Sequence, residues 1–97
     1  MTTTHTPGPW AYDADSQEVF SDDARHGAGW IAFIKGNDGE GRPLTEPERL
    51  ANARLIAAAP DLLAAAIDAL ETFERRFPDS PTAHDLRAAI ARATGEA

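Results

Sequence analysis

The stretch Thr45-Glu46-Pro47-Glu48-Arg49-Leu50-Ala51-Asn52-Ala53-Arg54-Leu55-Ile56-Ala57-Ala58-Ala59-Pro60-Asp61-Leu62-Leu63 decides the fold class, because it opens a helical half that nothing before it resembles. Thr45-Glu46-Pro47-Glu48 has the spacing of a capping box, with Thr45 accepting from a backbone N–H and Glu48 reaching back. Pro47 fits the first turn, where its missing donor costs nothing. The helix is expected to reach about Ala58, where Pro60 stops or kinks it by steering Ala59 out of the α region.

Downstream, Leu63, Ile67, Leu70 and Phe77, joined by Leu62, Ala66 and Phe73, give a second helix from Pro60 to Phe77 with a broad apolar stripe. Asp68, Glu71 and Arg75 lie opposite, with Glu71 and Arg75 at i,i+4 spacing. Pro78 ends this helix. Ser80 and Pro81 then read as N-cap and first residue of a last helix closed by Gly95, with Leu86 and Ile90 as its buried edge.

Upstream the periodicity changes to two. Residues 1–7 are polar and Thr-rich with prolines at 7 and 9, an extended tail entering a strand. Trp10 and Tyr12 fall on one face of a strand, Asp15-Ser16-Gln17 supplies turn chemistry, and Glu18 to Ser21 returns as a second strand. Ser21 to Gly29 is a polar connection. Trp30 to Lys35 (WIAFIK) is the strongest strand signal, with apolar residues on both faces. That pattern suits a central strand, or one with one face against helices and the other against a partner. Gly36 to Gly41 is a glycine-rich loop. The expectation is therefore a single α+β domain over 1–97, a small antiparallel three-stranded meander (8–35, β-rich) packed on two to three α-helices (45–94).

Composition narrows the chemistry. Of the 41 residues counted as hydrophobic, 20 are alanine, so the core is thin and self-association is a natural supplement. The alanine faces 57–59 and 64–66 suit close helix packing within the subunit or a homodimer. With 16 Asp plus Glu against 9 Lys plus Arg, the net charge of -7 disfavours generic nucleic-acid binding. It admits either plain solubility or mimicry of a nucleic-acid backbone. The absence of cysteine removes thiolate nucleophiles and cysteine-based metal sites. No apolar run approaches the roughly 18 to 20 residues of a bilayer span, and MTTTHTPGPW lacks a signal-peptide apolar region. The expected location is the cytoplasm, with no membrane contact.

Candidate catalytic residues are sparse. His5, His26 and His84 show no metal-ligating spacing, and no cofactor or metal is expected. Ser16, Ser21 and Ser80 lack a nucleophile context, and the carboxylates of Asp13, Asp15, Glu18, Asp22 and Asp23 read as solvated turn charges rather than a cation site. A hydrolase using His26 or His84 ranks last. The loop 36–41 ahead of a helix N-terminus, with Arg42, Arg49 and Arg54 near it, would suit an anion, although Glu46 and Glu48 account for those arginines equally well.

Two strings carry a resemblance: His5-Thr6-Pro7-Gly8-Pro9-Trp10 and the ANARLIAAAPDLL segment at residues 51–63. Together, and in this order, they resemble a family of small tailed-phage and prophage accessory proteins that begin with HTPGPW and carry ANARLIAAAPELL. The resemblance covers about residues 5–75, and residues 78–97 lie outside it. Relative to it, Asp22 to Gly29 reads as an insertion. It implies a phage origin and brings no catalytic residues. The expectation is a non-enzymatic accessory protein that blocks or sequesters a host factor, in counter-defence or host take-over, with a host or phage protein as partner. The alternative is a sponge for a nucleotide-like small molecule.

The strings themselves have two readings. In one they are structural: Pro7-Gly8-Pro9 turns the chain so that Trp10 enters the core, and Asn52 hydrogen-bonds that turn. In the other, His5, Trp10, Asn52 and Arg54 form a ligand surface, with the ring stacking and the arginine holding an anion.

Overall fold

The computed structural model describes residues 5–21, 29–34 and 41–96. Three strands, β1 (Trp10–Asp13), β2 (Glu18–Ser21) and β3 (Gly29–Phe33), precede three helices, α1 (Glu46–Ala57), α2 (Ala59–Arg76) and α3 (Pro81–Thr94). The strands form an antiparallel sheet in the order β1-β2-β3, so the fold is α+β with a meander. The chain falls into two compact units, Thr6–Pro60 and one built on Asp61–Ala97.

In the first unit the β1–β2 hairpin closes on the pair Asp13↔Glu18. Its turn is set locally: Asp13 Oδ1 accepts from the Asp15 N–H at 2.9 Å, and Gln17 takes a left-handed φ of 60°. The register Trp10↔Ser21 and Tyr12↔Val19 puts these four residues on one face. Val19 is fully buried there in a cluster with Ile34 and Ala53 of α1, against which Trp10, Tyr12, Ile31, Ala32, Ile56 and Ala57 pack.

The strand β3 is at the sheet's edge, which corrects the central-strand alternative. Val19 faces Ala32 and Phe20 faces Trp30, so Ile31 is an extra residue in a β-bulge. The bulge resolves the two-faced apolar pattern: Ile31 and Ala32 pack on the core while Trp30 stays 79% exposed. The strand also stops at Phe33. Ile34 is buried beyond its end, donating its N–H to the Gln17 carbonyl at 2.9 Å, and Lys35 lies outside the described residues.

The capping box forms as spelled, the Glu48 N–H donating to Thr45 Oγ1 and the Thr45 N–H to Glu48 Oε1, both at 3.2 Å. The helical path breaks at Ala58, one residue earlier than expected, and Ala59 is helical. Pro60 then occupies the first turn of α2, where no intrahelical donor is missed.

In the second unit Leu70, Ala83 and Ile90 are buried together, with Leu63, Ala66, Ile67, Phe73 and Leu86 packed on them. The stripe of α2 is narrower than expected. Leu62, about 100° around the helix from Leu63, is 53% exposed, and Phe77, beyond the last turn, is 59% exposed. The Phe77 ring instead meets Phe73 at 6.1 Å between centroids, tilted by 54°. Glu71 and Arg75 are both exposed, and the ion pair on this part of the chain is Arg87–Glu74 at 3.3 Å. Ser80 caps α3 by accepting from the Ala83 N–H at 3.0 Å, and Gly95 ends it at φ 77°, a left-handed conformation that glycine adopts freely.

Chemical denaturation tests the buried cluster of the second unit. Ile90→Ala is expected to cost about 2–5 kcal/mol by leaving a cavity. Leu62→Ala, on the exposed side of the same helix pair, should stay within about 0.5 kcal/mol of the parent.

Candidate functional site

The parts of the two strings that lie in the Thr6–Pro60 unit, residues 6–10 and 51–60, meet there. Trp10 is half-buried, and its indole Nε1 donates to the Thr6 carbonyl at 3.1 Å. The Ser21 hydroxyl, 1% exposed, donates to the Pro7 carbonyl at 2.8 Å. The peptide bond between Gly8 and Pro9 is cis. Gly8 lies so close to Pro60 that an added Cβ would stand 3.1 Å from Pro60 Cβ and 3.4 Å from Cγ. The first string is thus tied down by its own indole, by the end of β2 and by Pro60 of the second string.

Asn52 takes no part in that turn. It is exposed on α1, and Trp10 and Ser21 provide the hydrogen bonds assigned to it. The serine was missed because nothing in the sequence at Ser21 distinguishes it from a turn residue. Its signal is register alone, since pairing with Trp10 places it on the core face.

The other candidate residues are spread over α1 and its approach. Arg42 is exposed and 4.0 Å from Glu48 Oε2, beside the capping box. Arg49 is half-buried, four residues before Ala53 and so on the same side of the helix; its Nε is buried without a hydrogen-bond partner. Arg54 is exposed, as is His5. The glycine-rich loop is described only at Gly41, which takes φ 95°; residues 36–40, His26 and Asp22 to Ala28 lie outside the described residues. Among the described residues no three metal-ligating side chains come together, and no single helix is long and apolar enough to cross a membrane.

A cleft of about 390 Å³ opens at the α2–α3 turn, lined by Pro78, Asp79, Ser80, Pro81, His84, Asp85 and Arg87. Two of its polar side chains already have structural work. Ser80 Oγ is the helix cap, and Arg87 is held by Glu74 and donates through Nη2 to the Pro78 carbonyl at 2.9 Å. Sequence reading singled out His84 and Ser80 separately but not this concavity, which depends on how the turn 77–80 closes.

Substitutions separate the packing contacts from the surface residues. Gly8→Ala is expected to lower stability by about 1–3 kcal/mol, because the ring of Pro60 has little room to give. Ser21→Ala should cost about 0.5–1.5 kcal/mol, and Asn52→Ala less than about 0.5 kcal/mol, all read from urea midpoints.

The model of the family described as Salmonella phage P22 protein Y8K6 matches residues 1–97. The match includes residues 78–97, which the two strings did not reach, and it bears out the phage resemblance they carried. No curated protein and no solved structure matches. The chain belongs to the Salmonella phage P22 protein Y8K6 family.

Proposed function

We propose that this chain is a non-enzymatic phage accessory protein that works in the host cytoplasm by binding a host factor and blocking or sequestering it. The observation that carries the reading is membership of a phage family over the whole chain. Two features of the chain support it. The buried hydroxyl of Ser21 and the hydroxyl of Ser80 are both engaged in structural hydrogen bonds, which leaves them poorly placed as nucleophiles. The charge of -7 gives the surface a strong sign, and such fields select partners and accelerate encounter.

A second reading, the sponge for a nucleotide-like anion, is favoured by one observation: Arg49 carries a buried Nε that lacks an acceptor. Affinity capture on the immobilised full chain from host lysate, followed by reconstitution with the captured protein, tests the leading reading. One host protein should co-purify and lose activity at a stoichiometric ratio. Steady conversion of any metabolite by the purified chain would overturn it. For the sponge, a nucleotide panel should raise the melting temperature of the parent and not of Arg49→Ala.

A further inference from the structure

The sheet has a second face, and its chemistry is unlike that of the first. Ala11, Phe20 and Trp30 are directly opposite one another across the three strands, on the side away from Val19 and Ser21. Phe20 and Ala11 are half-buried, while Trp30 at the edge is 79% exposed. An indole held out on an edge strand is a large apolar surface in the position from which partners are most readily engaged.

The same face carries charge of one sign. Every charged residue in β1, β2, β3 and the β1–β2 turn is acidic: Asp13, Asp15 and Glu18. Asp13 and Glu18 are direct cross-strand neighbours, an arrangement of like charges that destabilises an isolated sheet. They continue the row of Ala11 and Phe20 on the same side. Asp13 is exposed, whereas Glu18 is half-buried and its Oε2 is buried without a hydrogen-bond partner. An exposed indole therefore shares its face with an acidic pair one row along the sheet.

We propose that this face, centred on Trp30 with Asp13 and Glu18 beside it, docks an arginine-bearing, positively charged surface of another protein. This rests on the binding reading above and adds the face and the chemistry of its partner. A guanidinium stacks flat on an indole and presents a fork of donors to carboxylates, which an ammonium does less well. A second copy of the chain would bring acids against acids, and nucleic acid would meet the wrong sign.

The test uses the full chain and a labelled decapeptide alternating arginine and alanine, with lysine–alanine and glutamate–alanine counterparts, read by fluorescence anisotropy. The arginine peptide should bind, the lysine peptide about threefold or more weakly, and the glutamate peptide not at all. Trp30→Ala, at an exposed position, should keep the parent's circular dichroism and weaken the arginine peptide about tenfold. Glu18→Gln should weaken it about threefold, and Asp68→Asn, an exposed acid on α2, should leave it unchanged. Failure of the parent to bind the peptide would overturn the proposal. So would binding by Trp30→Ala within about twofold of the parent, or equal losses in Asp68→Asn and Glu18→Gln, which mark net charge alone. Self-association abolished by Trp30→Ala would overturn it by giving the face to a second copy. A host protein captured equally by the parent and Trp30→Ala would place the contact elsewhere and leave the binding reading intact. Peptide binding through Trp30 with no host protein captured would sustain the face and remove that reading.

Discussion

The hydrogen bond from Ser21 to the Pro7 carbonyl ties together parts of the chain that have little else to hold them. Pro7 precedes the first strand and Ser21 ends the second, so this bond fixes where the leading segment enters the sheet. Trp10 secures the same segment from inside, through Thr6, while its ring packs against the cluster of Val19, Ile34 and Ala53. Gly8 completes the arrangement by letting backbone approach Pro60 where an added Cβ would be crowded at 3.1 Å. With so few large apolar residues available, the Thr6–Pro60 unit gains its order from these specific contacts as much as from burial.

These contacts favour the packing reading of the two strings for Pro7, Gly8, Trp10 and Pro60. Trp10 and Pro7 are engaged by Thr6 and Ser21, and Gly8 by Pro60. Asn52 and Arg54 are exposed on α1, and the carboxylate of Glu48 is shared between the helix cap and Arg42.

Much of the fold was legible because it is written in short-range chemistry. Thr45 and Glu48, Ser80 and Pro81, Gly95 and the Asp15 turn act over a few residues, and the helix and hairpin limits they mark agree with the structure to within a residue or two. What escaped depends on pairing across the chain. The bulge at Ile31 is invisible in WIAFIK, yet it alone determines that Ile31 and Ala32 turn inward while Trp30 is left outside. The partition of the buried residues into two clusters is hidden for the same reason, as is the core position of Ser21. For the candidate site, the arginines were identifiable by charge, but their divergence around α1 follows from helical phase and from Glu48, and the cleft at 78–87 from turn closure.

Alanine shows how a chain with a thin core can still be mostly helical. Ala53 and Ala83 are completely buried, each where a small side chain lets a helix approach its neighbour closely. Ala51, Ala59, Ala64, Ala65, Ala89 and Ala93 are exposed and contribute to no interior. Their role is local: alanine has the highest helix propensity and loses no side-chain entropy on folding. In α1, where Ala53 is the one buried residue, the capping box and this propensity carry stability that a broad apolar face would otherwise supply. Helices secured in this way need little of the large apolar side chains, which are concentrated in two small clusters or left on the surface, as at Trp30, Leu55, Leu62 and Phe77.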